Sequence, residues 1–344
     1  MTEAKSACLF LLPGNGKPSM STLFLHIGSH KTGTTSIQAA CMSAMPRTGQ
    51  GGAQYIDIRH SGTNLMRYSG RLENFHARIE LEIAEKVFRP QEDKTAAPRA
   101  IASDEDLFWI SDSAQVEKFA AMLKQRYEAI TIICYLRRQD LLALSHRKQV
   151  TERGPAVRFY GLTITPLPKF LPHFHSYFDY ASKLRLWGDA FGKQNIQVLP
   201  YEPSTLLNGD VVQDFAERVG VRFTLSDQLR RNSSLAGNRT LVGLKLAQQK
   251  VPPKLRKAIL NKLPPAGKFL PSQDEARAFL ANFAEPNVRL AQEWSWRGEP
   301  LHFMDSFDMY PETLGPQWSN DEVNRMLNAV LSINEGLRNP GNSA

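Results

Sequence analysis

Apolar and polar positions alternate along this chain in two periods, and the order of those periods predicts the architecture. The run Leu23-Phe-Leu-His-Ile27 is a short, nearly continuous apolar segment that stops at Gly28, which reads as a buried strand. After a stretch of small and hydroxylated residues, helical spacing begins near Thr34 and ends near Pro46. A second strand is predicted at Arg99–Leu107 and a third at Ala129–Leu136. The third is followed by Leu141, Leu142 and Leu144 at helical spacing. Further on, Val211–Val219 is helical. Strands alternating with helices through the first 220 residues predict a parallel sheet covered by helices.

Elsewhere the pattern predicts helices at Leu72–Phe88, Ser113–Tyr127, Leu241–Lys250, Asp274–Gln292 and Asp321–Leu337. Residues 54–76 show little period, Pro90–Pro98 reads as a polar linker, and Gly154–Pro172 reads as a long loop of the kind that forms a lid or a substrate wall. Residues 1–19 read as a flexible leader before a single domain spanning 20–340, with a second translation start expected at Met20.

The first strand–turn–helix junction carries the chemistry. In Gly28-Ser-His-Lys-Thr-Gly-Thr-Thr-Ser36, unpaired N–H groups of a first helical turn face whatever sits at the strand end, and the helix dipole favours an anion there. Gly28, Gly33 and Thr35 match the P-loop pattern G-x-x-x-x-G-K-[ST], but Thr34 stands at its lysine position. The lysine of this loop is Lys31, and that displacement disfavours ATP or GTP hydrolysis. A second feature lies about a hundred residues on. Arg137 and Arg138 end the third strand and Ser145 lies two turns into the next helix, so an arginine fork and a hydroxyl can converge on one anion.

The string Lys31-Thr-Gly-Thr-Thr35 resembles the K-[ST]-G-T-[TS] loop of sulfotransferases that use 3′-phosphoadenosine 5′-phosphosulfate (PAPS). Arg137 and Ser145 reproduce that family's eight-residue spacing, which Arg138 misses by one. The chain is most similar to bacterial sulfotransferase-like proteins that begin with a HIGxHKTGTTSIQ segment. Arg99–Leu107 resembles their strand ending in S-[SD]-E-x-L, Tyr180–Gly192 followed by Ile196–Glu202 resembles their helix–strand unit, and Arg231-Asn-Ser-Ser-Leu235 resembles a recurring N-x-S-L segment, so the likeness covers about residues 20–239.

The resemblance implies an α/β fold: a P-loop-type three-layer sandwich with a central, mainly parallel sheet and extra C-terminal helices. It implies transfer of a sulfuryl group from PAPS to a hydroxyl acceptor, a small molecule or a saccharide, by in-line displacement. Ser29, Lys31, Thr32, Gly33, Thr34, Thr35 and Ser36 would hold the 5′-phosphate, and Arg137 and Ser145 the 3′-phosphate. Lys31 would neutralise the bridging oxygen as it leaves. Glu105 is the candidate general base; His30 is the alternative as base or sulfuryl contact, and His60 is a weaker one. Asp104 and Asp106 flank Glu105, so the three acids also read as a turn or helix cap. A nucleotide or small-molecule kinase with a divergent loop, and a non-catalytic nucleotide-binding homologue, are the alternatives.

Composition narrows the setting. The formal net charge of +8 suits a polyanionic ligand. The densest basic cluster, Lys245 to Lys268, is interrupted by four prolines and has no nucleic-acid motif with it, so no nucleic-acid partner is expected. Cys8, Cys41 and Cys134 are odd in number and far apart, which fits buried thiols in a reducing compartment and no zinc site. His173 and His175 lack further ligands, and no metal is expected. His26, Tyr180 and Trp187 read as packed interior residues. The absence of a signal peptide or a ~20-residue apolar span points to the cytoplasm. Residues 54–76 and 154–180 are expected to shape the acceptor site, whose code the sequence does not carry.

Overall fold

Period-two burial within the apolar runs gives the central sheet its two faces. The computed structural model describes residues 22–45, 52–58, 64–88, 98–151, 154–223, 236–313, 321–322, 324–326 and 328. In β1 (Thr22–Gly28), Leu23, Leu25 and Ile27 enter one core, while His26 faces the opposite side. Helix α1 (Thr34–Ala44) follows, then β2 (Gln54–Ile56) and a hairpin of β3 (Met66–Ser69) and β4 (His76–Ile79). Next come α2 (Leu81–Val87), β5 (Arg99–Ser103), α3 (Ser113–Lys124) and β6 (Ala129–Leu136). In β6, Ile130, Ile132, Cys134 and Leu136 join the first core, and Ile133 and Tyr135 join a second.

After β6 run α4 (Gln139–Val150), α5 (Pro155–Tyr160), α6 (His175–Phe178) and α7 (Tyr180–Phe191). The chain then forms β7 (Ile196–Pro200) and α8 (Val211–Val219). Four helices follow: α9 (Gly237–Gln248), α10 (Pro253–Lys262), α11 (Gln273–Ala281) and α12 (Ala284–Glu293). A small hairpin of β8 (Ser295–Trp296) and β9 (Glu299–Pro300) comes next. The main sheet has the order β2-β5-β1-β6-β7, and every pairing in it is parallel. Helices α1 and α8 cover the face that carries the second core; α3, α4 and α7 cover the other. The fold is therefore the α/β three-layer sandwich expected, with α9–α12 as the added C-terminal helices.

Several local expectations change. Leu72–Phe88 is not one helix: a single 3-10 turn at Leu72–Asn74 precedes β4, and α2 starts only at Leu81. In His76-Ala-Arg-Ile79 the buried positions alternate, and this period-two pattern pairs with β3 instead of continuing a helix. Gly154–Pro172 contains α5, because Pro155 occupies the first helical turn, where its missing N–H costs nothing. Asp274–Gln292 is two helices. The Asn282 side chain donates to Ala278 O at 2.9 Å and Phe279 O at 3.0 Å, satisfying carbonyls at the end of α11, and Phe283 turns into the core. Residues 321–322, 324–326 and 328 are helical; the leader, His60, residues 89–97 and Arg231–Leu235 lie outside the described residues. Cys41 and Cys134 are buried free thiols, with burial pushing both thiols up from their ordinary range. Tyr180 and Trp187 are fully buried.

His26 is a neutral core histidine. Its Nδ1 lies 2.8 Å from Ser103 Oγ on β5, and complete burial pushes its pKa down to about 3. Between that value and the ordinary 6.5, the unfolded chain binds a proton that the folded chain refuses, so stability falls as pH drops below about 6.5. From pH 7 to pH 5 this site is expected to cost about 2 kcal/mol. Urea unfolding at the two pH values should show that extra loss in the wild type and not in His26→Gln. Equal pH dependence in both would remove His26 as the cause.

Candidate functional site

Three strand ends meet at one edge of the sheet because backbone bonds continue the pairing past the strands. Ser29 N donates to Tyr135 O at 2.6 Å, and Asp104 N donates to His26 O at 3.0 Å. The loop after β1, the acidic turn after β5 and the arginines after β6 are thereby drawn together at the carboxyl ends of neighbouring parallel strands. That is where open α/β sheets form their ligand crevice.

The loop turns tightly. Lys31 has φ 63° and Gly33 has φ 80° as the residue preceding α1. A Cβ added at Gly33 would sit 2.5 Å from Val211 Cγ1, so α8 leaves no room for a side chain there. Thr32 Oγ1 donates to Ser29 O at 2.5 Å, closing the loop on itself. The first helical bonds run from Ser36 N and Ile37 N to Gly33 O, so the N–H groups before them belong to the open first turn. Ser29 Oγ and Thr34 Oγ1 are buried with no hydrogen-bond partner. Buried hydroxyls are ordinarily satisfied, so a cradle with two open ones fits an oxygen-rich anion.

The three acids of the turn at Glu105–Trp109 have three separate jobs. Asp104 caps the turn by accepting from Asp106 N at 3.1 Å. Asp106 accepts from His30 Nε2 at 3.1 Å. Glu105 lies against the loop, since a Cβ on Gly28 would be 3.1 Å from Glu105 Cβ, and its Oε2 accepts from Gln38 Nε2 at 3.2 Å. Gln38 also donates to Ser103 O at 3.0 Å, tying α1 to β5. At its far end the turn is held by buried Lys183, whose ammonium donates to Ile110 O and whose pKa burial lowers to about 7.

His30 is buried with both ring nitrogens engaged. Donation to the Asp106 carboxylate puts the proton on Nε2, and Nδ1 then accepts from Tyr177 O–H at 2.8 Å. The ring therefore fastens the loop to α6 and to the acidic turn. His146, directly after Ser145, packs its ring 5.1 Å from that of His30 and bonds Tyr160 OH through Nδ1 at 2.8 Å. Burial first, then its electrostatic neighbours His30, Lys31 and Arg137, hold His146 well below the ordinary histidine range.

The two arginines divide clearly. Arg138 makes a two-pronged ion pair with Asp140, Nε–Oδ1 at 2.8 Å and Nη2–Oδ2 at 3.0 Å. It also donates to Met304 O and Ser306 O and lies over the Phe307 ring, so it straps the segment around 304–307 to the sheet. Arg137 has a single side-chain bond among the described residues, Nη1 to Lys31 O at 3.2 Å. Its guanidinium lies 5.9 Å from the Tyr201 ring centroid, and burial lowers its pKa. Most of its donors have no protein partner among the described residues. Ser145 is half-buried on α4, with no side-chain hydrogen bond among the described residues.

The structure thus brings Ser29–Ser36, Glu105 and Arg137 to one crevice, with Ser145 two turns along α4. His173 Nε2 is bonded to Phe159 O and His175 packs on Phe170 and Phe283, so the two are not a metal pair. Among the described residues no cluster of three or more His, Cys, Asp or Glu is placed to hold a metal ion. Gln38, Tyr177 and His146 escaped the sequence reading. Gln38 alone had a signal, a polar residue beside the apolar Ile37 on the sheet side of α1.

Comparisons with known proteins are distant. No family model matches the chain. A protein of Archaeoglobus fulgidus, described only as uncharacterized, is 29% identical over 191 residues, 52% of this chain and 49% of that protein. The match therefore spans about half the length of that relative. Among solved structures, a sulfotransferase from Alicyclobacillus acidocaldarius aligns over 78% of this chain and 94% of its own, at 15% identity and TM-score 0.40. The tunicamycin resistance protein of Deinococcus radiodurans aligns over 60% and 99%, at 14% identity and TM-score 0.33. Mouse sulfotransferase SULT7A1, complexed with PAP, aligns over 68% of each chain at 13% identity and TM-score 0.29. At these values the likenesses carry no argument about activity, which has to come from the site.

Gly33→Ala is expected to destabilise the protein by about 2 kcal/mol or more, through left-handed backbone strain and the clash with Val211. Thermal unfolding beside Gly298→Ala checks this: Gly298 also has positive φ but nothing within 4 Å of an added Cβ, so equal losses would rule out the clash.

Proposed function

We propose that this protein is a sulfotransferase that moves the sulfuryl group of PAPS to an acceptor hydroxyl, on a small molecule or a saccharide. The observation that carries this reading is the division of labour at the strand ends. Arg138 is consumed by Asp140 and the 304–307 segment, whereas Arg137, which has the eight-residue spacing to Ser145, keeps its donors and touches the loop. A donor with phosphates at both the 5′ and 3′ positions suits two anion-binding features: the Ser29–Ser36 loop and the Arg137–Ser145 pair.

In this reading the loop N–H groups, that of Thr32 included, and the hydroxyls of Ser29, Thr34, Thr35 and Ser36 take the 5′-phosphate, while the Thr32 hydroxyl closes the loop on Ser29 O. Arg137 and Ser145 take the 3′-phosphate. The acceptor oxygen forms a bond to sulfur as the bond from sulfur to the bridging oxygen breaks in line. Lys31 stabilises the charge that collects on the bridging oxygen. The acceptor proton goes to Glu105, which Gln38 orients. His30, with both nitrogens occupied, positions the loop, and Glu105 is the base. Lysine and the helix N-terminus supply the charge neutralisation, and no step calls for a metal.

Calorimetric titration tests the donor assignment. The wild type is expected to bind 3′,5′-adenosine bisphosphate at micromolar concentration, with affinity lowered about tenfold or more in Lys31→Ala and Arg137→Ala. Arg138→Ala should instead lower the melting temperature by breaking the Asp140 pair and the 304–307 strap. Tighter binding of ATP that depends on Mg²⁺ would overturn the reading in favour of a kinase.

Glu105→Gln keeps the shape at the loop and removes the base. It should slow sulfuryl transfer by about 10²-fold or more while leaving bisphosphate affinity near the wild-type value. Undiminished turnover in this variant would exclude Glu105.

A further inference from the structure

Arg147 is a buried cation without a counter-charge. It lies on α4 directly after His146 and is 1% exposed. Its Nε donates to Thr165 O at 3.1 Å, and its Nη2 to Thr163 O and to Thr163 Oγ1 at 3.1 Å, all neutral oxygens. No carboxylate pairs with it among the described residues, and Nη1 is buried with no partner. Arg138, Arg218 and Arg289, by contrast, each meet an aspartate directly. Leaving a charge desolvated and unpaired costs several kcal/mol, and a neutral side chain could hold two loop carbonyls without that cost.

The surroundings lead from Arg147 toward the crevice. Its charge interacts with Tyr160, and Tyr160 OH bonds His146 Nδ1 at 2.8 Å. His146 Nε2 is a second buried polar atom with no partner. Trp109 stacks on the His146 ring at 5.9 Å and 11°, and its Nε1 is a third. The His146 ring in turn lies 5.1 Å from that of His30 in the phosphate loop. Three unsatisfied nitrogens therefore line one path from the donor loop to an uncompensated guanidinium, where only isolated exceptions are expected.

We propose that Arg147 supplies the counter-charge for a fixed negative group on the acceptor, a carboxylate or a sulfate ester, and that the acceptor is an acidic saccharide. This rests on the sulfotransferase reading for the reaction, though not for the binding itself. The planar guanidinium suits either group, because it can present two parallel N–H donors to two oxygens. Reaching Nη1 requires the segment around Thr163–Thr165 to shift, exchanging neutral carbonyl partners for an ion pair. The region is the stretch 154–180 in which the sequence pattern placed acceptor recognition.

The test is equilibrium binding of three saccharides of one length: a hexuronate-containing oligosaccharide, an O-sulfated neutral one and the uncharged parent. Each is titrated into protein preloaded with 3′,5′-adenosine bisphosphate and into protein without it. At least one anionic saccharide is expected to bind the wild type about tenfold or more tightly than the parent, and the one preferred identifies the group. Arg147→Gln is expected to abolish that preference with bisphosphate affinity unchanged. Equal binding of all three by the wild type, or a preference that survives in Arg147→Gln, overturns the proposal. If Arg147→Gln fails to fold by circular dichroism, Arg147→Met, which also removes the charge, replaces it: a lost preference supports the assignment and an unchanged one overturns it. Absence of bisphosphate binding would instead strike the donor assignment, while saccharide binding to unloaded protein is still read separately.

Discussion

The pairing of β1 with a parallel neighbour on each side is the constraint on which the crevice depends. A strand paired on both edges cannot slip by one residue without turning Leu23, Leu25 and Ile27 out of one core and His26 into it. Because its register is fixed, so is the point at which the chain leaves the sheet, and the loop, the acidic turn and Arg137 leave at the same edge. The bonds from Ser29 N to Tyr135 O and from Asp104 N to His26 O carry that registration past the strands into the site itself. The chemistry is positioned by the sheet before any side chain in the crevice makes a contact.

A second layer of bonds converts three strand ends into one rigid unit. Gln38 joins α1 to Ser103 and Glu105, His30 joins the loop to Tyr177 and Asp106, and Arg137 reaches back to Lys31 O. These contacts are polar and largely buried, where an incomplete network is costly and a complete one fixes a single geometry. The groups left open are the informative ones. Ser29 Oγ and Thr34 Oγ1 at the loop, and His146 Nε2, Trp109 Nε1 and Arg147 Nη1 on the other side, are buried without a partner among the described residues.

Much of this was legible in the residues. Strand positions were readable because short β-branched and aromatic runs ended at Gly28 and at Arg137, and α8 matched its pattern from Val211 to Val219. Errors fell where two periods overlap or a marker has two meanings. Ala77 and Ile79 fit a helix stripe as well as a strand face, and only pairing with β3 chose between them. Pro155 marks a turn in one context and a first helical turn in another. Asn282 broke a long amphipathic pattern by bonding carbonyls, which no periodicity records.

By itself the sequence determined the make-up of the loop, since glycines, hydroxyls and a displaced lysine between strand and helix are local facts. It also determined the spacing that singles out Arg137 over Arg138. Only the tertiary structure decided what each side chain is free to do. Asp104, Asp106 and Glu105 are three adjacent acids in the chain, yet contacts to Asp106 N, His30 and Gln38 give them a cap, an anchor and an oriented carboxylate. The same holds for His30, whose partner Tyr177 is 147 positions away, and for Arg147, whose missing counter-charge is visible only once its neighbours are in place. Local backbone chemistry is written in consecutive residues. Desolvation and pairing depend on which distant residues the fold brings to the same place.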